Sequence, residues 1–393
     1  MVSFEHRRDR RRPAFGRRRC GVQERPPRAG SGARTDAGET RIVGFDGLRA
    51  VAFLMVFLSH KAPSPRTEAL GSAGVWLFFV LSGFLIVRIL AASRARIEAG
   101  AATPLDSLQV FYRNRFARIV PVYYAFLFVL YATPLGGPLN LGDAGFKRAT
   151  WLYLTNVYIE RHGWGTELGH LWSLAVEQQF YLLLAPAALF LPRRHLGALC
   201  GALIGASVLM HVALWSAGAW PVSFDVDTLA NLGLIALGGL AGLRTEPLPG
   251  WLRRDAALIA VLALFLALPL LAGETGRWLV VGRLSGLLAA LLLLQILQSP
   301  ESRAVALLDK AWLRRIGVIS YAAYLFHVPL HAEPVLAALG LPFAGPRAVT
   351  LALDLALTLL LADASWRLLE SPARRLLRAP KRAAREPALI NPL

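Results

Sequence analysis

Long apolar runs separated by short polar breaks set the pattern of this chain from residue 45 onward. Runs of about 17 to 22 residues have the length of an α-helix that spans a bilayer core. Ten such runs are predicted, at roughly 45–61, 70–92, 116–135, 170–191, 196–218, 227–244, 255–273, 279–298, 316–338 and 348–369. Backbone groups inside a bilayer must be hydrogen-bonded internally, which makes each run a predicted helix. The expected fold is all-α: a polytopic membrane protein with about ten transmembrane helices in one bundle around a central cavity. The run 148–160 (ATWLYLTNVYIER) is apolar but too short to cross, and it is predicted to be re-entrant or interfacial. Gly201 and Gly205 form a GxxxG pair, predicted to mark close helix packing. No internal repeat is visible.

Composition agrees with this pattern: 55% of the 393 residues are hydrophobic. The formal charge of +18 first suggests a nucleic-acid partner. Its distribution argues against one, because the charges cluster between the apolar runs. Lys and Arg crowd the N-terminal tail, residues 88–118, Arg193 and Arg194, Arg244 to Arg254, Arg303 to Arg315, and the segment from Arg367 onward. The alternate loops hold only Lys61, Arg66, Lys147, Arg148, Arg161, Arg277 and Arg347. That asymmetry predicts a multi-pass protein of the cell inner membrane with both termini cytoplasmic.

Residues 1–41 carry twelve Arg against five acids, with several Pro and Gly, and read as a disordered basic cytoplasmic tail. They lack an apolar core and so are not a secretory signal peptide. The expected organisation is this tail, a membrane domain over 42–370, and a second basic cytoplasmic tail over 371–393. No further soluble domain is expected. Cys20 and Cys200 stand far apart with no metal-ligand spacing, so neither a zinc site nor a disulfide framework is supported.

Ionisable residues inside apolar runs are costly and mark pathways or reaction sites. Arg49 and His60 share the first run, eleven positions apart. On a helix that is about three turns and roughly 16 Å, on nearly the same face. His60 is the leading candidate for a general base, since an imidazole titrates near neutral pH; the plain alternative is a boundary histidine. Arg49 either lines a polar cavity or pairs with Asp46 three residues earlier. Arg113, Arg115 and Arg118 precede the third run and are suited to phosphates, or are ordinary positive-inside charge. Glu177 lies about two turns into the fourth run and needs a partner, to orient an imidazolium, neutralise an arginine or form a structural salt bridge. His327 either lines the cavity or packs between helices. Asp354, Asp363 and Arg283 are further pair members without assigned partners, and His162, His195, His211 and His331 have no supporting context. No GxSxG elbow, Walker loop or HExxH is present.

Taken in order, these motifs resemble the acyltransferase-3 family of integral membrane acyltransferases. The resemblance rests on Asp46-Gly47-Leu48-Arg49-Ala50 with His60, and on Gly74-Val75 with Phe78 to Ile86. It continues through Arg113 to Tyr123 and His170 to Tyr181, and closes with Ile319-Ser320-Tyr321 and His327-Val328-Pro329. It covers roughly residues 42–370. Asn114 stands where the family often has a second Arg, and Ala175 where it often has Ser, which leaves open which arginines hold the donor. The resemblance implies a stand-alone O-acetyltransferase type, without a fused hydrolase-like domain. Its donor would be acyl-CoA, acetyl-CoA foremost, and its acceptor a hydroxyl of a carbohydrate or other large molecule, with no metal and no nucleic acid. It implies His60, Arg49 and Glu177 as catalytic residues and Arg113, Arg115 and Arg118 as holders of the CoA phosphates. His60 would act as base or transient acyl carrier. Arg49 would stabilise charge on the thioester oxygen or the pantetheine end, and Glu177 would set the charge of Arg49 or His60. Ser82 and Gly83 would let the second run approach its neighbours closely. The rival reading is a transporter or flippase for a solute or lipid-linked sugar.

Overall fold

The structure, a computed structural model, describes residues 41–137, 139–218, 222–271, 280–341 and 345–377. Of the expected tails, 1–41 and 371–393, residues 1–40 and 378–393 lie outside the described residues, as do Cys20 and Arg277, while Ser371–Leu377 is helical. Every regular element among the described residues is helical. Helices α1 (Phe45–Lys61) and α2 (Pro65–Glu98) form an antiparallel pair joined by a tight break. Ser64 caps α2 by accepting from the Thr67 N–H, and Pro65 opens its first turn.

Helix α3 runs over Pro104–Ala132, and two short helices, α4 (Ala144–Trp151) and α5 (Thr155–His162), occupy the region expected not to cross. A 3-10 turn at Gly169–Leu171 leads into α6 (Trp172–Phe190), followed by α7 (Leu196–Ser216), α8 (Val222–Val226) and α9 (Thr228–Leu243). The remaining helices are α10 (Asp255–Leu271), α11 (Gly282–Gln298), α12 (Arg303–Leu308), α13 (Ala311–Phe326) and α14 (Ala332–Ala338). The last is α15 (Arg347–Ser365), which passes through a π turn at Trp366–Glu370 into α16 (Ser371–Leu377).

Five stretches are long and apolar enough to cross a membrane: α2, α3, Gly169–Phe190, Arg193–Ser216 and Arg347–Leu377. Helices α9, α10 and α11 are apolar but shorter. The protein is therefore an all-α, multi-pass membrane protein. In α2, 61% of the most apolar stretch is buried inside the protein, against 17% in Arg347–Leu377. Helix α2 is thus central, with α1, α6, α9, α10 and α11 around it, and α15 is peripheral.

Glycine makes that centre possible. A Cβ at Gly83 would sit on the Ile235 carbonyl oxygen, and one at Gly238 on the Val80 carbonyl oxygen. The α2 and α9 backbones therefore touch, as small residues permit in membrane bundles. Gly201 and Gly205 correct the expectation placed on them. Nothing lies within 4 Å of a Cβ at either. Helix α7 meets α9 instead through Ser207 and Cys200, set against Gly233 and Gly239.

Two expected boundaries also change. The third helix begins at Pro104, twelve residues before 116, because Thr103 caps it and Pro104 fits its first turn. Arg113 and Arg115 consequently sit within the helix rather than ahead of it, in line with Arg118, which already fell inside the expected run. The expected run 316–338 is two helices: α13 ends at Phe326, and α14 starts at Ala332. Pro329 lacks an N–H and cannot continue a helix, so the chain turns between them.

Candidate active site

At one end of the bundle, α1 opens with a carboxylate in its first turn, where the helix dipole favours negative charge. Asp46 is 8% exposed and accepts from Arg49 Nη1 at 3.0 Å and from Arg41 Nε at 3.1 Å. Arg41 also pairs with Asp309. Arg49 is thus paired with Asp46, and it lies in the field of Arg115 and Arg118 from α3. The Arg115 guanidinium stands 5.9 Å from the ring centres of both Phe111 and Tyr181. Arg113 donates to the Leu377 carbonyl at 2.7 Å and so ties α3 to α16. A cleft of about 560 Å³ opens between α3 and α6 beside these cations, with Tyr112, Arg113, Arg115, Gln178 and Tyr181 in its wall.

From this end a polar stripe runs along α6. Tyr181, Glu177, Ser173 and His170 follow one another at spacings of four, four and three, which places the first three on one face of α6 and His170 in line with them in the 3-10 turn that leads into it. Their eleven-residue rise is about 16 Å, the same as from Arg49 to His60. Glu177 accepts from the Ser82 hydroxyl of α2 and bonds the Tyr181 hydroxyl. The expectation that Glu177 acts on His60 or Arg49 has no contact to carry it; its partners are hydroxyls from the central helices. Farther along, Ser173 Oγ lies 2.7 Å from the Tyr324 hydroxyl, which donates to the His170 carbonyl at 3.2 Å. Tyr324 comes from α13, so α6 and α13 share this part of the stripe.

At the opposite end three imidazoles converge. The ring centres of His60 and His327 are 4.9 Å apart, those of His170 and His327 5.2 Å, and those of His60 and His170 6.3 Å. His327 is fully buried and His170 is 4% exposed, whereas His60 is exposed. Among the described residues no group of His, Cys, Asp or Glu side chains converges as a metal site requires.

Backbone carbonyls fix the tautomers. His327 Nδ1 is 2.7 Å from the Tyr324 carbonyl, an acceptor only, so Nδ1 carries hydrogen and Nε2 is a bare acceptor. His60 Nδ1 is 3.0 Å from the Val56 carbonyl and 3.3 Å from that bare His327 Nε2. Both neighbours accept, so His60 Nδ1 carries hydrogen too. The lone pair of His60 is thereby placed on Nε2, on the exposed ring. A neutral histidine so oriented can take a proton from a hydroxyl. The imidazolium that results keeps two acceptors at Nδ1.

The sequence singled out His60 and left His327 open, and it gave His170 no role. The stripe spacing His170, Ser173, Glu177, Tyr181 was the signal available for the latter. Other ionisable residues find partners here. Lys61 pairs with Asp354 at 3.5 Å, and Asp363 pairs with Arg315 and with Arg367 at 2.6 Å. His211 stacks on Phe224 and lies in the field of Arg283.

Comparison with known proteins follows the same lines. Residues 42–363 match the family described as Acyltransferase domain. The peptidoglycan O-acetyltransferase OatA of Listeria monocytogenes serovar 1/2a (strain ATCC BAA-679 / EGD-e) is 29% identical over 367 residues, 85% of this chain and 56% of that protein. The O-acetyltransferase OatA of Staphylococcus aureus (strain NCTC 8325 / PS 47) is 27% identical over 358 residues, 84% of this chain and 57% of that protein. The chain thus spans a little over half the length of these relatives. No solved structure matches it. The family match covers most of the chain, including Arg49, His60, the α6 stripe and His327, and the chain belongs to the acyltransferase-3 family.

Proposed function

We propose that this protein is a membrane-embedded O-acyltransferase that moves an acyl group, acetyl foremost, from acyl-CoA to a carbohydrate hydroxyl. The observation that carries the reading is the polar stripe of α6, which links a cluster of arginines at one end to an imidazole with an exposed Nε2 at the other. The acceptor hydroxyl gives its proton to His60 Nε2 while its oxygen attacks the thioester carbonyl. The carbon–sulfur bond breaks, and the thiolate of CoA leaves with the proton returned by the imidazolium. Direct attack by His60 Nε2 to form an acyl-imidazole, followed by transfer to the hydroxyl, uses the same atoms.

Arg115 and Arg118, with Arg113 at the cleft wall, receive the phosphates of the donor. Arg49 stands three turns from His60, so it serves the polar pantetheine end rather than the thioester oxygen. The extended pantetheine arm then follows the stripe toward His60. Glu177, held by Ser82 and Tyr181, offers that arm's amides a fixed acceptor. CoA is made in the cytoplasm, so the arginine end is the cytoplasmic one and the acceptor meets His60 from the opposite face. A carbohydrate acceptor agrees with the Listeria relative, which is named for peptidoglycan.

The test is acyl transfer from labelled acetyl-CoA to glycan fragments by purified protein in nanodiscs. His60→Ala is expected to lower kcat by about 10² to 10⁴, the usual share of a positioned base. Arg115→Ala and Arg118→Ala each raise KM for acetyl-CoA by about tenfold, the loss of a charge-assisted bond. Full activity in His60→Ala overturns the base assignment. Movement of a lipid-linked sugar without any acyl donor would return the transporter reading.

A further inference from the structure

The turn that follows α13 is held by a buried ion pair from α1 and α15 with no place in the reaction just described. Lys61, the last residue of α1 and the direct neighbour of His60, has a side chain 3% exposed, and that of Asp354 on α15 is 7% exposed. Burying two charges is expensive unless good geometry and further hydrogen bonds repay it. Here the further bonds go to the turn itself. Lys61 Nζ donates to the Leu330 carbonyl at 2.6 Å and lies 3.4 Å from that of Val328 and 3.2 Å from His331 Nδ1. Asp354 Oδ1 accepts from the Ala332 N–H at 2.7 Å, while Oδ2 faces Lys61 at 3.5 Å. The pair therefore grips the chain on both sides of Pro329, where the helix stops and the backbone lacks its own bonds. His327 is the C-cap residue of α13, directly after Phe326. Its ring reaches the His60 Nδ1 at 3.3 Å.

From this geometry we infer that Lys61 and Asp354 are positioning residues for acyl transfer. They clamp the 327–332 turn so that His327 Nε2 accepts from His60 Nδ1 and the His60 Nε2 lone pair is held toward the acceptor. The inference rests on the acyltransferase reading for its kinetic consequence, but not for its geometry. A displacement of about 1 Å at a base can cost about 10² in rate. The other ionisable groups facing Lys61 are His331 and Glu167, and those facing His60 are His170, His327 and Lys61 itself.

Single replacement of either partner leaves a buried charge and endangers folding. The informative variant is therefore Lys61→Met with Asp354→Leu, which replaces the pair by apolar side chains of similar size. Transfer from acetyl-CoA in nanodiscs is expected to show kcat lowered about 10- to 100-fold, with KM for acetyl-CoA within twofold of the parent. The pH midpoint of the base limb should shift, and Lys61→Arg should retain most of the parent kcat. A second readout needs no activity: diethyl pyrocarbonate modification mapped by mass spectrometry. In the parent it marks His60 and spares the buried His327; in the double variant it marks both. A folded double variant with the parent's kcat, pH midpoint and protected His327 overturns the clamp. A parent that transfers no acyl group while the double variant exposes His327 leaves the clamp standing and overturns the acyltransferase reading instead.

Discussion

Two backbone carbonyls, those of Val56 and Tyr324, decide where the lone pair of His60 lies. Each fixes a ring hydrogen on Nδ1, and the second imidazole then accepts from the first. His327→Leu removes that acceptor while Val56 still holds His60. Its kcat should fall about tenfold, the worth of one hydrogen bond to a developing charge, with KM for acyl-CoA unchanged. Steady-state kinetics per folded molecule checks it. Much of this scale was legible in the chain. Arg49 and His60 stand out because ionisable groups in an apolar run are costly. The Asp46–Arg49 pair follows from a spacing of three on a helix. The approach of His327 to His60 does not, because 267 residues separate them and only the packing of α13 on α1 brings the rings together. Glu177 called for a partner, and a cation was the natural expectation; the hydroxyls of Ser82 and Tyr181 fill that place.

Helices here are positioned by small residues and by proline, and the two are not equally readable. Pro104 after Thr103 is a start signal, and Pro329 is a stop signal; both act through the missing N–H and the fixed φ of proline. Hydropathy alone overrides them, which is why the runs 116–135 and 316–338 differ from α3, α13 and α14. Glycine is harder, since its meaning depends on the facing element. Gly83 touches the α9 backbone, while Gly201 faces open space. Gly83→Leu should therefore abolish the folded, monodisperse protein, because overpacking against backbone has no flexible side chain to displace. Gly201→Leu should leave yield and thermal midpoint unchanged. Size-exclusion profiles and melting curves in the same detergent distinguish the two.

Across the whole molecule, charge and chemistry share one axis. Arg49, Arg115 and Arg118 gather at one end, the three imidazoles at the other, and the α6 stripe joins them. The orientation proposed from the Lys and Arg asymmetry of the loops puts the arginine end on the cytoplasmic side. Cysteines placed at the exposed positions Ala101 and Arg161, in a background carrying Cys20→Ser and Cys200→Ala, should label with a membrane-impermeant thiol reagent from opposite faces. Labelling of both from one face would refute the proposed orientation. The bundle as a class was written in the apolar runs. Its centre was not, since burial of α2 rather than α15 depends on which helices meet.

The most direct measurement uses sealed, inside-out vesicles containing the protein, with labelled acetyl-CoA outside and a glycan acceptor trapped within. A donor-to-acceptor axis through the bundle predicts labelled acceptor in the lumen, lost in His60→Ala and shifted to higher acetyl-CoA concentration in Arg115→Ala. Product that forms only when acetyl-CoA and acceptor share the same side of the membrane would contradict it.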